Sequence, residues 1–447
     1  MVNTRSFFFI IISILLSFSA ELASAADFGI GGGEQLATPS YTLEKCLGIA
    51  MQGNPDIGQK SWESEASEAD SAIARSKLQP ALKLSGGYLH SVDPQSIIKA
   101  RRVGDPLPFE HDIFSTDLSL SYPLYTGKRL EKRAQAAKLR AGAQRQALEF
   151  TKDELSYLVT TVFYTILGQN KVIESLRFSH QTLLEHRKRV HELFVAKKAA
   201  KVDLLRTEVR IAELQQRLIK DESNLGVLYC QLVNLMGDMN LAGKIEIAGD
   251  LEISGMPENN AGAYDLALAN REDYQALKLK LDAQEKTFQA ARSERQPEVS
   301  LRASYGNRWP GSRNLGSEEV GEVYLMASMP IFDGGQISAG IRRENALMLA
   351  QKESLRKLAL KIRLDVETAI SNLKSAAARE EVSEKAVEQA NESFRIEREK
   401  YELGKGSILD VLDAQNALLD TQTTHYRAKA EFKIALAAFS MATGVRQ

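Results

Sequence analysis

Cysteine and proline are scarce in this chain. Its 447 residues include 2 cysteines and 11 prolines. So few cysteines exclude a disulfide-dense scaffold. One bridge between Cys46 and Cys230, or two thiols packed as small apolar groups, are both open readings. So few prolines permit very long helices. An excess of charge is also missing, with Lys+Arg at 57 against Asp+Glu at 58. That balance offers no electrostatic footprint for nucleic acid. After Ala25 no stretch approaches the roughly 20 apolar residues of a membrane helix. A membrane location for the rest of the chain would therefore require β-strands.

Catalytic and cofactor motifs are lacking as well. Gly29 to Gly33 is glycine-rich but has neither the lysine nor the preceding strand of a phosphate-binding loop. His191-Glu192 opens like a zinc-protease motif, yet Val195 stands where the second histidine belongs. His180, His186 and His191 follow at spacings of six and five, which do not share a helix face, and read as solvated helix residues. No G-x-S-x-G elbow occurs. The expectation is no catalytic residue, no metal and no cofactor, so any transport must be driven by a partner.

The first 25 residues have the form of a secretory signal. Arg5 precedes an apolar run from Phe7 to Phe18, and Ala23-Ser24-Ala25 supplies small residues for cleavage after Ala25. The run is too short for a membrane anchor. Residues 26–40 read as a flexible mature N-terminus.

The rest is organised as two copies of one unit. Residues 75–88, RSKLQPALKLSGGY, match 292–305, RSERQPEVSLRASY, at an offset of 217 (292 − 75). From YPLYTG (122–127) against MPIFDG (329–334) the offset is 207 (330 − 123) and holds without a gap to Gly237 and Gly444. The first copy therefore carries ten extra residues between its two strand-like segments. The hydrophilic stretch His90 to Ser115, with Asp93-Pro94 and Asp105-Pro106, reads there as an exposed loop.

Copy one spans 41–239 and copy two 263–447, joined by an equatorial linker, 240–262. Each reads as helix, strand, strand, very long helix, turn, helix. The strands are expected at 82–90 and 114–122, and at 298–306 and 321–329. Leu82, Leu84 and Tyr88 alternate with Lys83, Ser85 and Gly87, the period of a two-faced strand. A half-buried sheet of a soluble domain and part of a membrane barrel both fit that alternation. Four strands cannot close alone, whereas three copies supply twelve and leave no open edge.

The helical hairpins are expected at 128–237 and 335–444. In the second, Leu355, Leu358, Ile362, Val366, Ile370, Leu373 and Ala377 fall at spacings of three and four, a narrow coiled-coil stripe. A long helix of this kind measures about 100 Å. The returning helix, Asp203 to Leu235, covers about half that length, and the next copy's leading helix, Tyr264 to Ser293, roughly the other half. Two short helices stacked end to end thus match one long one, the wall of a tube.

At the second turn the chain reads YELGKGSILDVLDAQNALLDTQ (401–422). Tyr401, Gly404 and the run Asp410, Val411, Leu412, Asp413, Ala414 resemble the tip signature of the TolC family of outer-membrane efflux proteins. The junctions at 122–127 and 329–334 are similar to that family too, and the likeness extends from Tyr41 to Gly444. The resemblance implies a mainly α fold with β: a homotrimer with a twelve-stranded barrel in outer-membrane lipid and a coiled-coil α-barrel in the periplasm. It implies a passive duct that docks a periplasmic adaptor and an inner-membrane pump.

Asp410 and Asp413 share one face of a helix start. Helix capping and an acidic ring at the pore mouth are both readings of that pair, and the resemblance favours the ring. The first tip differs. Asp203 keeps the first acidic position, Arg206 replaces the second, and Lys197, Lys198 and Lys201 lie nearby. These cations read either as a clamp on the acidic tip of a neighbouring hairpin or as a solvated turn. Gly406 stands where the family has a basic residue, with Lys405 beside it. Within the channel class, drug or metal efflux comes first and the exit duct of a type I protein secretion system second. A periplasmic structural coiled coil is the competing class.

Overall fold

The computed structural model describes residues 40–99, 108–241, 243, 245–253, 255, 262–311 and 316–445. These fall in one compact unit, Ser40–Gln447. The expected signal sequence and the segment 26–39 lie outside the described residues.

The first half opens with β1 (Ser40–Tyr41), α1 (Leu43–Gly53) and α2 (Pro55–Ser76). Asn54 separates the two helices. Its Oδ1 accepts from the Asp56 amide at 2.8 Å. Pro55 occupies the first helical position, where an amide would have no partner. Then come β2 (Ala81–Ser96), β3 (Phe109–Tyr125), α3 (Arg129–Val195) and α4 (Lys201–Met236). A short strand β4 (Glu246–Ile247) in the linker pairs parallel with β1.

The second half repeats the order with α5 (Ala263–Asn270), α6 (Glu272–Ser293), β5 (Glu298–Pro310), β6 (Glu318–Ser328), α7 (Gln336–Glu402) and α8 (Ile408–Thr443). α3 and α7 are each 67 residues long, about 100 Å at the helical rise. Within the α7 stripe, Ile362, Val366 and Leu373 are buried. No described helix is long and apolar enough to cross a membrane.

Three details differ from the sequence reading. The leading helix of copy two is broken at Arg271, and copy one gains α1 ahead of α2. The strands outrun their expected limits, so that much of the stretch from His90 to Ser115 is strand. An irregularity between His90 and Gln95 absorbs Asp93-Pro94, and pairing resumes at Gln95 with Glu110 and Ser96 with Phe109. Cys46 and Cys230 are free; Cys46 is buried and Cys230 exposed. Burial pushes the Cys46 thiol up to about 11.

β2, β3, β5 and β6 form one antiparallel sheet in that order. α3 packs against α2, α4, α6 and α8, and α7 packs against α6 and α8. Leu155, Val159, Phe163 and Ile166 of α3 join Cys46 and Ala50 of α1 and Leu232, Val233 and Met236 of α4 in one core.

The short helices meet end to end, but each returning helix meets the leading helix of its own copy and not that of the next, as the sequence reading had it. α4 stops at Gly237, which is left-handed at φ 74°. A Cβ there would lie 2.1 Å from the Gly53 carbonyl oxygen at the α1–α2 break. Asn54 Nδ2 donates to the Leu235 carbonyl at 2.9 Å across the same joint. α8 stops at Gly444, φ 67°, against the α5–α6 break, where the nearest atoms are 3.0 Å from a Cβ. There the buried Arg271 guanidinium pairs with Asp273 at 2.7 Å and with Asp365 of α7 at 3.1 Å.

Gly237→Ala should destabilise the protein by about 2 kcal/mol or more, through left-handed strain plus the backbone clash. Gly444→Ala, with looser surroundings, should cost less. Thermal unfolding of the two purified variants checks the order; equal losses would refute the tight joint.

Candidate functional site

Two regions carry the features of a duct: the sheet and the far end of the helices. In the sheet, register decides which residues share a face. Leu82 pairs with Leu120, Leu120 with Ala303, and Ala303 with Val323. Leu84, Leu118 and Tyr305 form the next row, Gly86, Thr116, Asn307 and Glu319 a third that is polar, and Tyr88, Phe114 and Trp309 a fourth. The opposite face carries the rows Lys83–Ser119–Ser304–Glu322 and Ser121–Arg302–Tyr324. One face is therefore apolar with an aromatic row at its outer margin, and the other is polar. Among the described residues nothing covers the apolar face: Leu84 is 70% exposed and Val323 73%. From Phe114 to Tyr122 along β3 the apolar rows extend about 26 Å.

At the other end lie the two turns. Their backbones are alike. Lys198 donates to the Leu193 carbonyl at 2.8 Å, and Lys405 donates to the Lys400 carbonyl at 2.8 Å. The left-handed position is Gly404 at φ 71° in the second turn but Lys197 at φ 62° in the first. Side chains other than glycine adopt that conformation at a cost of about 1–2 kcal/mol.

Asp410 caps its helix. Its carboxylate accepts from the Ser407 amide at 3.3 Å, while Ser407 Oγ accepts from the Leu409 amide at 3.1 Å. Asp203 accepts in the same way from the Ala200 amide at 3.2 Å. Asp413 instead faces Arg210 of α4 at 3.5 Å. One heptad further along, Arg217 donates to Asp420 at 2.8 Å and to Thr423 at 3.3 Å. The two hairpins are thus joined by a ladder of Arg–Asp contacts between α4 and α8. Beneath it Gln415 donates to Ser179 Oγ at 3.2 Å, beside a cavity of about 260 Å³ between α3, α4 and α8.

Lys197, Lys198, Lys201, Arg206 and Lys405 are exposed and form no ion pair within the chain, among the described residues. Arg210 and Arg217 were the cations that the sequence reading passed over. Their seven-residue spacing, matched by Asp413 and Asp420, was the available signal.

Tyr401 packs its ring on His186 at 5.5 Å, and Arg189 pairs with Glu402 at 2.9 Å; both contacts join α3 to α7. His186 is not the solvated residue expected. Its Nε2 is buried without a hydrogen-bond partner. His186 sits three after Leu183 and four before Val190, on the buried stripe of α3. Burial pushes its imidazole below the ordinary 6.5, helped by Arg189 and opposed by Glu402. Burial raises the Tyr401 phenol, and Asp203 adds to the effect.

Comparison with known proteins agrees with this architecture. A family model described as "Outer membrane efflux protein" matches residues 46–238 and 263–445. The chain belongs to that family, a family of transport channels rather than enzymes. It is 22% identical over 402 residues to the alkaline protease secretion protein AprF of Pseudomonas aeruginosa, covering 89% of this chain and 83% of that one. It is 19% identical over 413 residues to outer membrane protein TolC of Vibrio cholerae, covering 90% of each. Its fold matches that of the outer membrane protein VceC of Vibrio cholerae with a TM-score of 0.77 at 16% identity, over 90% of this chain and 96% of that one.

The depressed imidazole implies a pH dependence. The folded state holds His186 neutral, so the unfolded chain takes up its proton more readily. The stability from the neutral side chain is present above about pH 6.5 and is lost as pH falls through the lower folded value. His186→Gln should flatten the acid side of a melting-temperature profile as pH falls below about 6.5. A profile as steep as wild type would refute the role of His186.

Proposed function

We propose that the chain is one subunit of a trimeric outer-membrane duct that carries solutes outward for an efflux system. The observation that carries this is the exposed apolar face of a sheet with two unpaired edges. Leu82, Leu84, Leu118 and Val323 each gain about 1.5–3 kcal/mol on leaving water. A lipid bilayer supplies that environment only if every backbone group is paired. Three copies joined β6 to β2 give twelve strands and no edge, with the apolar rows facing lipid and the polar rows facing a lumen.

The helices support the same closure. Leu347, Leu360, Leu364 and Val382 of α7 are exposed, as are Val209, Ile219 and Val227 of α4. α7 has one open flank and α2 with α4 the other. Closing the ring covers both flanks with neighbouring copies, and the tube so formed extends into the periplasm. Its tip would meet a periplasmic adaptor and an inner-membrane pump, because the chain has no energy-coupling motif of its own. A periplasmic coiled coil would leave the outer apolar face in water. Export of a polypeptide is the second reading, favoured by the likeness to AprF.

At the tip, Asp410 and Asp413 from three subunits set six carboxylates around the mouth. Capping by Asp410 is compatible with that role, since one carboxylate has four acceptor sites. Lys197, Lys198 and Lys201 lie free to reach a neighbouring subunit, while Arg210 and Arg217 hold the two hairpins of one subunit together.

Single-channel recording in planar bilayers tests the reading. Wild-type trimers should show cation preference, and Asp410→Ala with Asp413→Ala should lower it several-fold. Replacing Lys197, Lys198 and Lys201 with Gln should raise resting conductance. Silence from both wild-type and lysine-neutralised trimers that have inserted into the bilayer would refute the duct. Unchanged selectivity would remove the acidic ring alone.

A further inference from the structure

β6 stops short of its counterpart in the first half. The bounds of α2 and α6 differ by 217 at both ends (272 − 55 and 293 − 76). Those of α3 and α7 differ by 207 (336 − 129 and 402 − 195). On the same offsets β2 and β5 begin at matching residues, Ala81 and Glu298. β3, however, runs on to Tyr125, which matches Phe332, whereas β6 ends at Ser328. The neighbours account for the difference. β2 pairs with β3 only as far as Ser121, so Tyr122, Pro123 and Tyr125 are held by Leu301, Ser300 and Val299 of β5. The matching Met329, Pro330 and Phe332 lie past the last β6 residue that β5 reaches, Ser328. Among the described residues β6 has no strand on its other side. Ile331 and Phe332 are left 96% and 91% exposed.

The helices show the same asymmetry. Where α6 lies along α3, Arg133 pairs with Glu294 at 2.8 Å. Lys132 Nζ donates to Ser293 Oγ at 3.2 Å, and Arg140 donates to Thr287 at 3.0 Å. A Cβ on Gly142 would lie 3.5 Å from Leu279. The residues of α7 that match Arg133, Lys132 and Arg140 are Gly340, Ala339 and Leu347, none of them charged. The match to Gly142 is Leu349, and the match to Leu279 is Trp62 of α2. Trp62 is 70% exposed and Leu349 51%. The free flanks of α2 and α7 have therefore lost the cations of the in-chain contact and gained a large apolar side chain on each side.

We propose that a second copy docks on these flanks in one register, with its β2 and α2 beside β6 and α7 as β5 and α6 stand beside β3 and α3, and with its Trp62 anchored on Leu349. The proposal rests on the duct reading and fixes the seam of that duct residue by residue. Ser328 pairs with Ser85 of the next copy, Met329 with its Leu84 and Phe332 with its Leu82. The faces agree. Ser328 and Ser85 fall on the polar face with Glu322 and Lys83, and Met329 and Leu84 continue the apolar face of Val323 and Leu82. A slip of one residue would set polar side chains among apolar ones on both faces. β6 gains four residues of strand in the seam. On the helices the covered Trp62 ring takes the place of the charged contacts between α3 and α6. Salt screens exposed ion pairs and leaves an apolar contact of this kind in place.

Two measurements on the purified protein in detergent test the seam. Cysteine pairs are placed in a Cys46→Ala, Cys230→Ser background, one pair from each face: Ser85→Cys with Ser328→Cys, and Leu84→Cys with Met329→Cys. The two faces sample both pairing geometries of an antiparallel ladder. Copper phenanthroline takes the two thiol hydrogens, and at least one pair should link three chains into a covalent trimer. Ser85→Cys with Met326→Cys, a slip of two residues, should stay unlinked. Linkage of the slipped pair in place of the matched ones would overturn the register. No linkage from either matched pair, in protein that sediments as a trimer, would overturn the seam and leave the duct standing. Wild-type protein that sediments only as a monomer would sink the duct reading and the seam together. Trp62 is exposed in the single chain, so its removal leaves the fold of each subunit intact. Trp62→Ala should lower the trimer fraction several-fold at fixed detergent, Trp62→Phe should restore most of it, and molar salt should leave wild-type trimers whole. A trimer fraction unchanged by Trp62→Ala, or wild-type trimers that fall apart in salt, would overturn the aromatic anchor.

Discussion

A backbone amide left unpaired in hydrocarbon costs several kcal/mol, and a four-stranded sheet has two edges. Much of this molecule can be understood from that constraint. In the proposed duct, the apolar rows on one face of β2, β3, β5 and β6 would face lipid, and lipid would demand that the edges close on other copies. The same closure would cover the open flanks of α7 and of α2 with α4. A helical tube would then continue the barrel, with α3 and α7 setting its length.

That length creates a second requirement, since every level of a long helix needs a neighbour. The solution is two shorter helices set end to end, with the joint at Gly237 on Gly53 and at Gly444 on Arg271. The two joints are built differently. Asn54 caps one through its side-chain amide, and a buried Arg271 held by two carboxylates fixes the other. The copies have kept the backbone and changed the chemistry, as they have in the turns, where Gly404 and Lys197 occupy the same left-handed position.

The parts legible in the sequence were those written as periodicity. The long helices and the strand alternation each leave a local signature. The outer reach of β2 and β3 does not, because Asp93-Pro94 signals a turn and only cross-strand pairing overrides it. The tip contacts were legible only in part. Asp410 and Asp413 stand out as a motif, but Arg210 is one of many arginines until α4 lies beside α8. His186 was misread by comparing the histidines with each other, when its spacing from Leu183 and Val190 placed it on the packed seam.

The Arg–Asp ladder limits how the hairpins can move. Arg210 and Arg217 face Asp413 and Asp420 with α4 and α8 running the same way. A slide of one helical turn, about 5.4 Å, breaks both contacts, but it carries Arg210 towards Asp410 in one direction and Arg206 towards Asp413 in the other. A slide of seven residues, about 10.5 Å, would re-form one of the two. Axial travel between the hairpins therefore exchanges partners, one arginine leaving its carboxylate as another carboxylate comes within reach. Pivoting them apart breaks the rungs one at a time, beginning at the end by the turns.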